Sequence, residues 1–346
     1  MKGLKLDAPR GEYQLVDDLP EPSPGPNQLL VKPIYGSINP VDELMRNSGL
    51  LIVSWPWTPC CDVAGTVVKV GDNVTKFKAG DQVFGCQGLG FPGSGGAAEY
   101  CLFREDLALR KPEDVPLAAA ASIGVGSETA AMGVWVGLNI QLPDPQNLPA
   151  TSDEWVFILG GGGNVGAYAV QLAKLSGYKV IASVSSRSVQ SAIAAGADET
   201  VDYKDSVDSQ IAKIKAVTKG GLHRIFDATS FNKPIVEKLL ESTKDEPGQK
   251  YFTTVNNWDD FSDLPGSPQV HLISLGPVAR EDAEHAELNA SVSKAVVVIE
   301  QLLALGKLIV NEYVVADDTG FEAFTAGTKL QSTKAAKKVV VKFQSE

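Results

Sequence analysis

Residues 155 to 166 constrain this chain more than any other stretch. Trp155 to Leu159 is a continuous apolar run of the kind a strand buried on both faces requires, and it breaks directly into Gly160-Gly161-Gly162-Gly163-Asn164-Val165-Gly166. Val165, Ala169, Leu172 and Ala173 then give one apolar helix face, which stops at Gly177. Within the run, Gly161, Gly163 and Gly166 form G-x-G-x-x-G. Between a strand and a helix, such glycines permit the tight turn, let the backbone approach a pyrophosphate and let the helix pack close on the sheet. The helix N-terminus adds unpaired N–H groups suited to phosphate. The stretch reads as a dinucleotide site, with a plain structural turn as the alternative.

The pattern then repeats. KVIASV at 179 to 184 precedes a helix that stops at Gly196, ETVDY at 199 to 203 precedes a helix opening near Ser206, and HRIFDA (223 to 228), YFTTV (251 to 255) and VHLISL (270 to 275) supply three more strands. Six strands interleaved with helices predict an α/β domain with a doubly wound parallel sheet of the Rossmann kind, because parallel neighbours need right-handed crossovers. Ahead of it the texture differs. From Met1 to about Lys111, short β-rich runs such as LLVKPIYG, AGTVVKVG, DQVFGC and AAEYCLF alternate with Gly and Pro, which predicts an irregular β-barrel or roll. From Pro116 an Ala- and Gly-rich stretch reads as close-packed helices, and the proline-rich segment 139 to 154 as a surface loop. Residues 290 to 305 form an amphipathic helix with Val292, Ala295, Val296, Ile299, Leu302 and Leu303 inward and Gly306 as its stop, and LIVNEYVV and AAKKVVVKF after it read as strands returning to the first sheet. At roughly 150 residues per domain, 346 residues suggest two domains. The expected division is a β-rich domain over 1–125, a dinucleotide-binding domain over 126–285, and a return over 286–346 that completes the first.

An acidic residue at the end of the second strand of such a unit would accept the adenosine ribose hydroxyl and repel a 2′-phosphate. Ser185, Ser186 and Arg187 stand there instead, offering hydroxyl donors and a fixed cation, which favours NADPH over NADH; an incidental arginine in a solvated loop is the alternative. A net charge of −11 argues against a nucleic acid or an anionic membrane as partner. No stretch keeps about 18 apolar residues together, and the opening MKGLKLDAPRGEY lacks the apolar core of a secretion signal, so a soluble protein of the cytoplasm is expected. Cys60, Cys61, Cys86 and Cys101 read as free thiols. No metal site is expected: His223, His271 and His285 all lie outside the β-rich part, and adjacent Cys60 and Cys61 in an extended segment would point opposite ways.

Several motifs, taken in order, resemble the medium-chain dehydrogenase/reductase superfamily in its zinc-free quinone oxidoreductase and enoyl reductase branch. They are INPVD (38 to 42), DVAGTVVKVGDNVTKFKAGDQVFG (62 to 85), GAAEY (96 to 100), ETAAMGV (128 to 134), GGGGNVGAYAVQLAK (160 to 174) and GADETVDY (196 to 203). The proline-rich loop before Trp155 and LISLGP at 272 to 277 look most like the trans-acting enoyl reductases that serve fungal polyketide synthases, and toxin-cluster relatives. The resemblance implies a GroES-like catalytic domain beside the Rossmann domain. It also implies that Asn39 to Leu44, including Val41 and Asp42, border the nicotinamide end, and that Thr129 faces its ribose or phosphate. Gly161, Gly162, Gly163, Asn164 and Val165 would line the pyrophosphate. Ser185, Ser186, Arg187 and Ser188 with Tyr203 would hold the adenosine phosphate, and Val255 with Asn256 would close over the nicotinamide. Gly276 and Pro277 would line the substrate pocket, with Trp55 and Trp57 as pocket wall or core.

Zinc-dependent members carry Cys where this chain has Asn39, Gly-His-Glu where it has Cys60-Cys61-Asp62, and a lobe of four cysteines absent here, so the resemblance implies that both metals are missing. Two departures concern the chemistry. Leu44 stands where polyketide-associated relatives can place a lysine, and residues 43 to 58 hold no tyrosine where some enoyl reductases place a proton donor, so no catalytic residue is assigned. The expected function is an NADPH-dependent, zinc-independent oxidoreductase that delivers hydride to the C=C of an enoyl or α,β-unsaturated carbonyl compound, or to a quinone. Its partners would be a small-molecule enone, a quinone or a carrier-bound enoyl substrate, and it would act as a monomer or homodimer. The alternatives are a zinc-free aldehyde or ketone reductase and an NADPH-sensing binding protein without turnover.

Overall fold

The alternation of short apolar runs with Gly and Pro turns in the first third of the chain produces a set of antiparallel strands. The structure, a computed structural model, describes residues 1–280, 282–333 and 337–346. Two units form: Met1–Glu128 with Leu275–Glu300 and Glu312–Glu346, and Thr129–Ser274 with Gln301–Asn311. In the first, β1 (Gly3–Lys5) and β2 (Gln14–Val16) pair antiparallel. There follow β3 (Gln28–Ser37), α1 (Pro40–Ser48), β4 (Asp62–Val70), β5 (Gln82–Cys86), β6 (Cys101–Arg104), β7 (Leu109–Arg110) and the helices α2 (Leu117–Ala120) and α3 (Gly124–Ala131), the last running on into the second unit. β3 pairs antiparallel with β4 along its length and with β6 at its start, and β4 pairs with β5. Val31, Val63, Val83 and Phe103 fill the space behind these strands.

The second unit is built from βα repeats: β8 (Trp155–Leu159), α4 (Asn164–Leu175), β9 (Lys179–Val184), α5 (Val189–Ala194), β10 (Glu199–Asp202), α6 (Val207–Thr218), β11 (Leu222–Asp227), α7 (Lys233–Thr243), β12 (Tyr251–Thr254) and β13 (Gln269–Leu272). All six strands are parallel, in the order β10-β9-β8-β11-β12-β13. That is third, second, first, fourth, fifth, sixth along the chain, the doubly wound arrangement with its switch point between β8 and β11. β8 lies centrally, and all five of its residues are buried, as a strand covered on both faces demands.

The chain then forms α8 (Ala286–Ala304), β14 (Tyr313–Thr319), α9 (Ala323–Thr333) and β15 (Lys338–Lys342). α8 begins four residues before the predicted 290, because the Asp282 carboxylate accepts the His285 N–H and caps a 3₁₀ turn that feeds the helix. Its six predicted inward residues are all buried. β15 pairs antiparallel with the end of β3 and parallel with β14, so the final segment does return to the first sheet. Of LIVNEYVV only the part from Tyr313 is strand, and Ala335 and Ala336, which open AAKKVVVKF, lie outside the described residues. Among the described residues no helix is long and apolar enough to cross a membrane.

The glycines after β8 serve different ends. A Cβ on Gly166 would lie 2.1 Å from the Gly160 carbonyl oxygen, and one on Gly161 would lie 2.6 Å from Ala182 Cβ on β9, so both positions are closed by the protein's own backbone and strand. A Cβ on Gly163 would meet nothing nearer than 3.4 Å, and its φ of −82° suits any residue. Gly166→Ala should therefore cost about 3 kcal/mol by forcing α4 off the turn, whereas Gly163→Ala should cost less than about 1 kcal/mol as a change of N-cap residue. Denaturant melts of the two variants beside the parent protein test the contrast, and equal losses would contradict it.

Candidate functional site

Each unit carries its own cluster of polar residues. In the second unit the cluster sits at the carboxyl ends of the strands. α4 starts at Asn164 with Gly163 as its N-cap and no side chain bonded to its first turn, so the opening N–H groups have no capping acceptor. Asn164 is held by Asn311, whose Nδ2 donates to the Asn164 carbonyl at 2.9 Å and to its Oδ1 at 3.2 Å. After β9, Ser185 and Ser188 bond to each other through their hydroxyls at 3.0 Å, and Ser188 also donates to the Ser185 carbonyl; Ser188 is buried at the start of α5. That pair fixes the loop and leaves Ser186 and Arg187 on its exposed crest, with Arg187 making no hydrogen bond or ion pair among the described residues. Tyr203 is exposed, and its N–H donates to the Val184 carbonyl, which brings it beside the same loop.

Asp227 and Thr229, at this same end, were not assigned from sequence. Buried Asp227, the last residue of β11, accepts from the Thr229 N–H (3.0 Å) and hydroxyl (3.1 Å), the Ser230 N–H (3.2 Å) and Asn232 Nδ2 (2.7 Å). It pins Thr229 against Gly160, where a Cβ would come within 2.1 Å of the threonine methyl. The sequence signal is an acid closing the strand LHRIF. Asn256 is buried, and its amide is fully engaged: Nδ2 donates to the Ser230 carbonyl and Asp259 Oδ2, and Oδ1 accepts from the Trp258 and Asp259 N–H groups. Val255 hangs from the Asp227 carbonyl by its N–H. Thr129 lies buried on α3.

The cluster of the first unit is buried and centres on Asp62. Its Oδ1 accepts the Val125 N–H at 2.7 Å; its Oδ2 accepts from Asn39 Nδ2 at 2.8 Å, from the Ser37 hydroxyl at 3.2 Å and from Lys338 Nζ at 3.1 Å. Lys338 also donates to Asn39 Oδ1. The Asp62 and Lys338 side chains are 0% and 4% exposed, so this is a fully desolvated ion pair. Asp42 reaches back to the Asn39 N–H at 2.8 Å at the start of α1. Burial pushes its carboxyl up to about 7, and its Oδ1 has no partner among the described residues. Asn39 and Asp42, both assigned by resemblance to the nicotinamide border, are thus occupied inside the protein, while Val41 on α1 is partly exposed.

The four thiols are free and buried. The extended segment expected at Cys60 and Cys61 is not formed, because Cys60 is left-handed (φ 79°): Cys60 Sγ donates to the Asp62 carbonyl, and Cys61 Sγ lies 3.6 Å from Asn39 Nδ2. Contact with Cys86 lowers the Cys61 thiol while burial raises it, and it arrives at about 11. Trp57 is core, and Trp55 lies beside Gly49 at the end of α1. Gly276 packs on Leu51, where a Cβ would lie 2.4 Å from a leucine methyl, so it joins the loop that leads to Trp55; Pro277 follows it and accepts the Arg280 N–H.

This donor set does not fit a catalytic zinc. By the resemblance, the residues at the metal-ligand positions of zinc-dependent relatives are the amide of Asn39, the Cys61 thiol, pushed up to about 11, and the Asp62 carboxylate, which already holds the Lys338 ammonium. A second cation there would face the lysine charge directly.

Family models for an alcohol dehydrogenase GroES-like domain and a zinc-binding dehydrogenase match residues 25–113 and 164–250. A chloroplastic quinone oxidoreductase of Triphysaria versicolor is 36% identical over 192 residues, which is 54% of this chain and 56% of that protein. A trans-enoyl reductase of Penicillium crustosum is 33% identical over 256 residues, covering 70% of this chain and 67% of that one. The chain thus spans little more than half the length of the first of these relatives. A mycobacterial protein solved in complex with NADPH shares the fold with a TM-score of 0.72 at 21% identity, over 99% of both chains. The chain belongs to the medium-chain dehydrogenase/reductase superfamily of oxidoreductases, in its quinone-oxidoreductase-like branch.

Two predictions follow from the buried carboxylates. Lys338→Met should cost about 3–5 kcal/mol by stranding the Asp62 charge, and adding Asp62→Asn should recover part of the loss, a coupling that a double-mutant cycle reads directly. Glu128, buried on α3 and accepting the Cys86 N–H at 3.2 Å, is pushed from 4.5 up to about 8, first by burial and then by the Asp62 charge. The folded protein binds this proton more tightly than the unfolded chain, so the associated stability is complete below about 4.5 and drains away as the pH rises to about 8. Glu128→Gln should flatten the fall in stability across that window, with its largest gain above pH 8. Parallel melting curves for parent and variant would refute this.

Proposed function

We propose that the chain is an NADPH-dependent, zinc-independent oxidoreductase that reduces the C=C of an α,β-unsaturated carbonyl compound or a quinone. One observation carries the reading: among the closely packed glycines at the switch point, Gly163 is the one the protein's own packing leaves open, and it stands at the uncapped start of α4. A phosphate approaching those N–H groups supplies the reason for its missing side chain. The names of the relatives, quinone oxidoreductase and trans-enoyl reductase, support the substrate class, and the NADPH complex of the mycobacterial protein supports the cofactor.

In this reading, Gly161 to Val165 hold the pyrophosphate by backbone N–H groups, and Arg187 with Ser185, Ser186 and Tyr203 hold the adenosine phosphate. The bound nicotinamide supplies the hydride. Asn256 acts through its loop: with its amide engaged, it holds Val255 and the backbone around it rigid. Lys338 and Asp62 fix Asn39 and the start of α1, which keeps Val41 at the surface. Leu51, Trp55 and Gly276 form an apolar wall suited to an uncharged unsaturated substrate and to excluding water.

The purified protein should oxidise NADPH in the presence of an enone or a quinone from a small panel. Arg187→Ala should raise the KM for NADPH roughly 10- to 100-fold, the size of a lost charge-assisted contact, while changing that for NADH little. Equal losses with both nucleotides would remove the assigned phosphate contact. Tight NADPH binding with no turnover on any acceptor would favour the sensor reading.

A further inference from the structure

The start of α4 is tied to the segment after α8 by a chain of side-chain amides, all within the second unit. A carboxamide has a donor end and an acceptor end, so each link constrains the next. The chain is anchored at Ile309, whose N–H donates to Gln171 Oε1 at 2.8 Å and whose carbonyl accepts from Gln171 Nε2 at 3.0 Å. These two backbone bonds fix which way round the buried Gln171 amide sits. Its Nε2 also donates to Asn311 Oδ1 at 3.1 Å, which turns Asn311 Nδ2 toward the carbonyl and Oδ1 of Asn164.

One orientation of Asn164 is compatible with this relay. Reversing its amide would set two NH2 groups against each other. Reversing Asn311 as well would set its oxygen against the Asn164 carbonyl and its NH2 against Gln171 Nε2. The relay therefore consumes Asn164 Oδ1 and leaves Asn164 Nδ2 outside the chain, with no hydrogen bond among the described residues.

Asn164 is the first residue of α4 and is half-buried, and the N-cap residue before it, Gly163, supplies no side chain to the turn. The unused end of the Asn164 amide is thus a donor, on the same turn as the backbone N–H groups that lack a capping acceptor. The pyrophosphate oxygens of a dinucleotide only accept, so an amide oxygen in that place would oppose them and an NH2 group complements them. We propose that Asn164 Nδ2 donates a hydrogen bond to the cofactor pyrophosphate, and that Asn311 is the positioning residue that presents it, with a polarity set at Ile309. This rests on the dinucleotide reading of Gly161 to Val165 and adds a side-chain donor to the backbone N–H groups which that reading uses.

The test measures Kd for NADPH and NADH on the whole protein by nucleotide fluorescence, together with the Tm in the absence of nucleotide. Asn164→Asp keeps the shape and the acceptor for Asn311 but replaces the outer NH2 by an oxygen. It should weaken both nucleotides roughly 10- to 100-fold and in equal proportion, since the pyrophosphate is common to them. The Tm of the free protein should stay unchanged or rise, because a carboxylate suits the first turn of a helix. Asn311→Ala should weaken binding about 3- to 10-fold in the parent but less than about 2-fold in an Asn164→Ala background, because it acts through that amide. Gln171 keeps both bonds to Ile309 in these variants, so the segment stays docked. A parent protein that binds neither nucleotide overturns the dinucleotide reading and this inference together. Where the parent binds, undiminished binding by Asn164→Asp, unequal losses of the two nucleotides, or additive effects of Asn311→Ala and Asn164→Ala overturn the inference alone and leave that reading standing.

Discussion

The first unit depends on one desolvated ion pair. Asp62 opens β4, Lys338 opens β15, and between them they also hold Ser37 at the end of β3, Asn39 ahead of α1 and the N–H of Val125 on α3. An isolated charge at either position would be heavily penalised; together, with both Asp62 oxygens accepting donors, they are tolerated in a dry interior. The pair also sets the chemistry of its surroundings. Its ammonium is the local cation and orients the amide of Asn39, and it draws the Asp42 and Cys61 pKa values down against the burial that raises them.

The second unit rests on a different constraint, the closeness of β8, α4 and the loop after β11. Gly166 allows the helix to meet the turn, and Asp227 gathers Thr229, Ser230 and Asn232 so that the loop seats on Gly160. Side-chain hydrogen bonds consume most of the polar groups there. What remains outward is backbone N–H at the start of α4 and the crest formed by Ser186 and Arg187, a surface that suits anionic oxygens at one end and a cation-seeking phosphate at the other.

Much of the fold was legible because its signals are local. The fully apolar run before Gly160, the recurrence of strand and helix to Leu272 and the inward face of α8 each depend on neighbours a few residues apart, and the structure follows them. The site was legible only in part. Nothing local says that Lys338 meets Asp62, since that contact exists only once β15 has joined β3. Asn39, Asp42 and Asn256 were assigned through resemblance to positions near the cofactor, and motif position does not reveal that their polar groups are turned inward on other residues. The glycine motif named the turn but could not sort Gly163 from Gly166, a distinction that needs the distance to Gly160.

The position of Lys338 in the chain bears on synthesis. The six-stranded sheet comes from one uninterrupted stretch, Trp155 to Leu272, and all its partners have left the ribosome while later residues are still being joined. Asp62 emerges far earlier, yet its lysine arrives hundreds of residues afterwards. A nascent chain therefore carries its first-made strands before the strand that brings Asp62 its counter-charge has been joined.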